Sequence, residues 1–296
     1  MRLGVDLGGT KIEVVALDES GAVLARERVK TPKQDYDATV AAIAGLVRAT
    51  EATLEQRGSV GVAIPGTIST ATGLVKNANS TRLIGHPLDQ DLARALDRPV
   101  RLANDANCFA LSEATDGAAA GKDVVFGIIA GTGVGGGVCV GGRVLSGAHG
   151  IAGEWGHNPL PRPHADELLG PTCYCGRTGC IEAWCSGPSL EREFAAATGR
   201  TLDAAAIAAS DDDAARALME RFFDRFARAI ATIVNILDPD AIVIGGGLSN
   251  IPALYAELPG RVERYAFTTE APPVIVKNVH GDSSGVRGAA WLWPQS

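Results

Sequence analysis

The 296-residue chain has no apolar run approaching the length of a bilayer span, no excess of basic charge, no low-complexity tract and no block of like charges. Each absence removes a class of protein. Without about 20 consecutive apolar residues there is no candidate transmembrane helix. Met1-Arg2-Leu3-Gly4 leads straight into a strand, so a signal peptide is not expected. A formal net charge of -7 argues against a nucleic-acid surface or an anionic membrane as partner. With 46% hydrophobic and 21% charged residues, the composition is that of an ordinary soluble globular protein. The expected compartment is the cytoplasm, where thiols stay reduced. Six cysteines then read as metal ligands and core residues rather than as disulfides.

Two familiar phosphate-binding signatures are also missing. Gly117-Ala118-Ala119-Ala120-Gly121-Lys122 is one residue short of a P-loop and has no Ser or Thr after the lysine. Gly131-Thr132-Gly133-Val134-Gly135-Gly136 satisfies G-x-G-x-x-G, but it runs on into Gly137-Val138-Cys139-Val140 and the turn Gly141-Gly142. A dinucleotide fingerprint must open a helix, so that reading fails on context.

Glycine, at 36 residues, is what the chain has in plenty, and it is clustered. A buried strand, Leu3 to Leu7, leads through Gly8-Gly9-Thr10-Lys11 into a second strand ending at Leu17. After a turn at Asp18 to Gly21, a third strand from Ala22 to Val29 completes an antiparallel meander. Helical periodicity covers Tyr36 to Arg57, then a strand runs from Val60 to Ile64 and stops at Pro65-Gly66. A helix is expected over Leu88 to Leu96, a strand over Val100 to Leu102 and a helix over Ala106 to Ala114. Strand, glycine loop, strand and turn recur from Val124 to Gly142, an internal echo that points to two related lobes. Four-residue spacing of Leu218, Phe222, Phe226, Ile230 and Val234 predicts an amphipathic helix from Asp211 to Leu237. A strand from Ala241 to Ile244, the turn Gly245-Gly246-Gly247 and a last helix over 285–293 follow. The expected division is a small lobe of 1–117, completed by 285–296, and a large lobe of 118–284.

His157 followed by Cys173, Cys175 and Cys180 is a full tetrahedral ligand set for structural zinc. Gly176 and Gly179 make the cysteine segment a tight knuckle, which suits ligation better than apolar packing. The latter is assigned to Cys108, Cys139 and Cys185. Glu154 and Glu182 bracket the cluster, so a metal there would hold two carboxylates in place. Asp105, at the head of a helix between Asn104 and Asn107, reads either as a helix N-cap or as a general base. The residues alone leave both open.

Gly4-Val5-Asp6-Leu7-Gly8-Gly9-Thr10-Lys11, Asn104-Asp105-Ala106-Asn107, the 131–137 loop, Gly153-Glu154-Trp155-Gly156-His157 and the Cys-x-Cys-Gly-x-x-Gly-Cys-x-Glu run together resemble the ROK family. The resemblance covers almost the whole chain. It implies an α/β, actin/hexokinase-like (ribonuclease H-like) two-lobed ATPase fold and either a bacterial sugar kinase or a related repressor. Residues 76–81, Trp155 with 158–161, and 281–288 are most similar to bacterial fructokinases of the manno(fructo)kinase type, with N-acetylglucosamine kinases next. The implied activity is ATP-dependent phosphorylation of a hexose, fructose first, with Asp105 as the base. For the sugar, the resemblance implies Gly66, Asn79, Asn104, Asp105, Glu154, His157 and Glu182. For ATP and Mg²⁺ it implies Asp6, a carboxylate in an otherwise apolar strand, with Gly8, Gly9, Thr10 and Lys11 at the phosphates. Gly131, Thr132, Gly133 and Gly135 would form a second phosphate loop, and Gly245, Gly246 and Gly247 would lie under adenine and ribose. Plainer readings stand beside these: a cap for Asp6, a solvated strand position for Lys11, ordinary turns for the glycines.

A repressor of this family carries a helix-turn-helix ahead of the sugar fold, whereas Asp6 already lies in the first strand, so the kinase is expected. The loop from His157 to Cys173 is long and holds Pro161, Pro163 and Pro171. Covering the sugar and reaching a neighbouring subunit are both open to it. The resemblance admits a homodimer. Arg82, where many relatives have an aromatic residue, leaves the preferred hexose open.

Overall fold

The computed structural model describes residues 1–33, 35–78 and 80–294. The chain falls into two compact units. The first comprises 1–121, 137–152 and 282–296, the second 122–136 and 153–281. The C-terminal segment 282–296 and the segment 137–152 both belong to the first unit.

Ten elements come first in the chain: β1 (Arg2–Leu7), β2 (Lys11–Leu17), β3 (Val23–Lys30), α1 (Tyr36–Leu54), β4 (Ser59–Ile64), β5 (Thr67–Ile68), β6 (Val75–Lys76), α2 (Leu88–Leu96), β7 (Val100–Asn104) and α3 (Asp105–Thr115). Then follow β8 (Val124–Ala130), β9 (Val134–Val140), β10 (Arg143–Val144), α4 (Ile181–Cys185), α5 (Gly187–Thr198), α6 (Ala204–Ala208), α7 (Asp213–Leu237), β11 (Ala241–Gly245), α8 (Ala253–Tyr265), β12 (Val274–Lys277) and α9 (Ser284–Trp291).

The first unit is built on a five-stranded sheet in the order β3-β2-β1-β4-β7. β1, β2 and β3 form the antiparallel meander, while β1, β4 and β7 are parallel. The parallel register pairs Asp6 with Ala63 and Ile64 with Asn104. The carboxyl ends of three strands therefore share one edge, the edge at which open α/β sheets gather their ligands. One face of the sheet is buried under α1 and α2, whose Ile43, Val47, Leu88 and Leu92 join Leu3, Val5, Val60 and Val62 in one core. α1 stops at Leu54 because Glu55 turns left-handed, φ 50°. The helical pattern anticipated through Arg57 is cut short there.

α9 packs onto the same sheet by backbone-to-backbone approach. An ideal Cβ at Gly4 would lie 1.9 Å from the Val286 carbonyl oxygen, and one at Gly61 would lie 1.9 Å from that of Ala289. Gly288 in the helix meets α3 just as closely, 1.7 Å from the Cys108 oxygen. Only glycine permits these approaches.

In the second unit β8, β11 and β12 are parallel, with β11 between the other two. The long helix α7 is capped by Asp212, whose side chain accepts from the amides of Ala214 and Ala215. Its apolar stripe buries Phe222 stacked on Phe226, which in turn contacts Trp155. Arg225 and Arg228 of the same helix are buried too, and both donate to Glu167. No helix among the described residues is long and apolar enough to cross a membrane.

Candidate active site

The parallel edge of the first sheet carries the two aspartates singled out in the sequence. Asn104 ends β7 in an extended conformation and its side chain accepts the Ala106 amide at 2.9 Å, so the N-cap is Asn104. Asp105 is thereby the first residue of the helix, and its Oδ1 accepts the same amide at 2.8 Å. The sequence alternative of Asp105 as the cap resolves onto its neighbour. Although its side chain opens to solvent, Asp105 sits deep among protein atoms, and this desolvation raises its carboxyl above the usual range. Asp6 is raised to about 6, by burial first, then by the charges of Asp105 and Glu13, against a smaller opposing effect of Lys11. Glu13 lies directly across from Asp6 on β2 and is itself neutralised by Arg26 and Arg28 at 2.5 and 2.8 Å.

Between β1 and β2 the chain reverses in a hairpin. The Gly8 amide donates to the Lys11 carbonyl at 3.0 Å, and an ideal Cβ at Gly8 would lie 3.0 Å from the same oxygen. Gly9 faces open space, with nothing within 4 Å of its ideal Cβ. Gly9 and Thr10 are exposed, and Lys11 Nζ rests 3.5 Å from Glu13. Gly66 has φ +127°, and an ideal Cβ there would come within 2.7 Å of the Lys76 oxygen. A side chain could not be accommodated. Asn79 lies outside the described residues.

In the second unit, the other glycine loop is short. The Gly131 amide donates to the Gly133 carbonyl at 2.9 Å, and β9 begins at Val134. Gly135 is already inside the strand, where its carbonyl accepts the Trp155 indole N–H at 3.0 Å. Gly246 has φ +80° and approaches the Ala130 oxygen so closely that an ideal Cβ would lie 2.4 Å away. Gly131, Thr132 and Gly247 line a cavity of about 460 Å³ together with Pro188, Glu191, Asp203, Leu248 and Ile251. Its size and mixed apolar and acidic lining suit a nucleoside. Sequence reasoning missed Glu191 and Asp203. Asp203 is legible only as a helix N-cap, accepting from Ala206, and nothing in the spacing places it beside Gly131.

Glu182 ties the loop to the cysteines. Its Oε2 accepts the Val134 amide at 2.9 Å, and its Oε1 lies 3.9 Å from Cys173 Sγ. An ideal Cβ at Gly133 would lie 2.6 Å from the same Oε2, so glycine is required for this contact. Glu154 is exposed just before the turn that carries Trp155 and His157.

The ligand atoms of His157, Cys173, Cys175 and Cys180 all lie within 4.8 Å of one another. Local backbone pairing explains the gathering: the Leu160 amide donates to Gly179 and the Ile181 amide to Asn158, so the two segments run antiparallel. Gly176 and Gly179, at φ +85° and +72°, shape the knuckle. Cys173 Sγ is 3.6 Å from His157 Nδ1, and Cys175 Sγ is 3.7 Å from Cys180 Sγ. A tetrahedral zinc ion with ordinary bond lengths requires edges of about 3.6 Å for S···N and about 3.8 Å for S···S. The donor set fits such an ion. The remaining cysteines, Cys108, Cys139 and Cys185, are fully buried packing residues.

Taken together, the sheets, the glycine hairpins and the paired aspartates define an α/β protein of the actin/hexokinase-like ATPase fold. A model of the ROK family matches residues 2–296, and the chain belongs to that family. It is 42% identical over 300 residues to N-acetyl-D-glucosamine kinase of Escherichia coli O9:H4 (strain HS), with 99% of each chain covered. It is 41% identical to the protein of that name from Citrobacter koseri, again with 99% of each chain covered. Among solved structures, it resembles the ROK hexokinase of Thermus thermophilus with a TM-score of 0.87 and 34% identity, covering 98% of this chain and 97% of that one. It also resembles a ROK family glucokinase from Streptomyces griseus, solved with glucose and AMPPNP, at TM-score 0.77 and 28% identity over 100% and 99% of the two chains.

Proposed function

We propose that this chain is an ATP-dependent hexose kinase whose first substrate is N-acetyl-D-glucosamine. The observation that carries the kinase reading is the pair Asp6 and Asp105, raised carboxylates at one sheet edge beside a glycine hairpin. Full-length relatives at 41–42% identity named for N-acetyl-D-glucosamine support the choice of sugar. Sequence motifs favoured fructose, but none of the relatives described above is named for it. The fructose reading is therefore placed second.

In this reading Asp105 takes the proton of the attacking sugar hydroxyl. A carboxyl raised above its ordinary value is a stronger base once ionised, and removal of such a base typically costs 10²- to 10⁴-fold. Asp6 would hold Mg²⁺, which prefers carboxylate and phosphate oxygens. That ion, bound with ATP, neutralises charge on the phosphates. Gly8, Gly9, Thr10 and Lys11, with Gly131, Thr132 and Gly133, would offer amides and a cation to the phosphates. Gly245, Gly246 and Gly247 would line the nucleoside side, and Glu191 and Asp203 are suited to ribose hydroxyls. Gly66, Asn79, Asn104, Glu154, His157 and Glu182 would bind the sugar hydroxyls by paired hydrogen bonds. His157, Cys173, Cys175 and Cys180 would hold a structural Zn²⁺, which four protein ligands leave without an open position for chemistry.

ADP release measured over N-acetylglucosamine, N-acetylmannosamine, glucose, mannose and fructose tests the substrate. The highest kcat/KM is expected for N-acetylglucosamine; a preference for fructose would restore the other reading. Metal analysis of the purified chain should find about one zinc per chain. A folded, active protein free of zinc would remove the structural-metal assignment.

A further inference from the structure

We propose that a second cavity, set back from the candidate active site, binds the phosphate monoester of a small sugar or polyol through Arg101 and Arg143. The inference stands apart from the kinase reading and uses none of the residues assigned to it.

The cavity measures about 540 Å³ and lies wholly within the first unit. Its walls come from β7, α3, the β9–β10 hairpin and the end of α9. Arg101 lies three residues before Asn104 on β7, and Leu111 lies six residues after Asp105 on α3. At 1.5 Å per residue the cavity begins about 9 Å along that helix from Asp105. Gly141 and Gly142, left-handed at φ +56° and +69°, make the turn that presents Arg143.

Two guanidinium groups and no carboxylate line the cavity. Arg101 is held in one pose: Nη1 donates to the Leu292 carbonyl at 2.7 Å, and the guanidinium lies 4.4 Å over the Trp293 ring. Trp293 is anchored in turn, its indole N–H donating to the Val60 carbonyl at 2.7 Å. A guanidinium carries five N–H donors, and the others on Arg101 meet no acceptor among the described residues. The Arg143 side chain has no hydrogen bond or ion pair among the described residues. Asp116, which accepts the Trp291 indole N–H at 3.2 Å, is already paired with Arg287. In a chain of net charge -7, two such arginines lining one cavity mark a place for an anion. A phosphate monoester carries about two negative charges at neutral pH and three acceptor oxygens, which suits two guanidinium forks. Leu111, Trp291 and Pro294 add an apolar wall for a carbon skeleton. About 540 Å³ is more than a bare phosphate fills and is the size of a small-molecule site.

Isothermal titration calorimetry on the full chain tests the site with glucose 6-phosphate, glycerol 3-phosphate, inorganic phosphate and citrate. At least one of the two esters is expected to bind more tightly than inorganic phosphate or citrate. Arg143→Gln, on an exposed hairpin, should weaken that binding tenfold or more while melting temperature and ADP release stay at wild-type values. Arg101→Gln should weaken it as much, with a lower melting temperature from the lost contacts to Leu292 and Trp293. Ester binding left unchanged by Arg143→Gln would place it at the active site and overturn the proposal. Absence of binding by either ester at millimolar concentration would overturn it too. Tighter binding of inorganic phosphate or citrate would remove the phosphate monoester as the ligand class.

Discussion

Burial, and after it the charge of Asp105, raises the carboxyl of Asp6 to about 6. The two residues sit at the carboxyl ends of β1 and β7, with only β4 between these strands. Two acids are thereby held at one sheet edge, as the proposed kinase chemistry requires.

This arrangement predicts two pH dependences of opposite sign. In the proposed mechanism both carboxylates act ionised, so kcat/KM should fall as the pH drops through about 6, well above the ordinary carboxylate value of 3.8. Stability should run the other way. Between 3.8 and about 6 the folded chain holds a proton on Asp6 that the unfolded chain has lost. Folding then binds protons, and stability falls as pH rises through that window. Urea midpoints at pH 4.5 and pH 7 measure it, and Asp6→Asn should flatten this part of the slope.

Asp105→Asn keeps the shape of the side chain and its contact to Ala106 but removes the base. A loss of 10²- to 10⁴-fold in kcat is expected, with sugar affinity changed only a few-fold. Near-normal turnover would remove Asp105 from the role of base.

Two glycines should separate structure from function. Gly288→Ala drives a methyl against the Cys108 carbonyl, 1.7 Å away, and should cost about 3 kcal/mol or more in unfolding free energy. Gly9→Ala points into open space and should leave stability within about 0.5 kcal/mol. If the Gly9 hairpin approaches phosphate, the latter variant will still raise the KM for ATP.

Glu167 anchors the long proline-containing loop to α7. Its carboxylate accepts from Arg225 at 2.7 Å and from Arg228 at 2.9 Å, and all three side chains are almost fully buried. Arg228 also donates to the carbonyls of Pro161 and Arg162. Glu167→Ala leaves two buried guanidinium groups short of a partner and should destabilise by about 3–5 kcal/mol. Denaturation with urea reads the loss directly.

Much of this was written in local pattern. The meander, the helix of α2, the strand of β8 and the stripe of α7 follow from periodicity, because period 2 and period 3.6 are properties of neighbouring residues. The His157–Cys180 cluster was legible for the same reason, since three of its ligands fall within eight residues. α4, α5, α6 and α8 were not anticipated, and neither was β12. These elements are short or carry weak caps, and their boundaries depend on what they pack against. The second glycine loop was read as longer than it is, because Gly135 and Gly136 belong to β9. A strand can include glycine where a bulky neighbour such as Trp155 must come close.

Through the motifs that carry its resemblance to the ROK family, the sequence by itself pointed to the fold class, the family and the chemistry available. Only the tertiary structure decided which groups share a surface. It put Asp6 beside Asp105, which are 99 positions apart, and Glu191 and Asp203 beside Gly131. It also gathered 137–152 into the first unit and set the Tyr174 hydroxyl on His157. Parallel strands joined by crossovers bring distant residues to one edge, and no local pattern records which edge that will be.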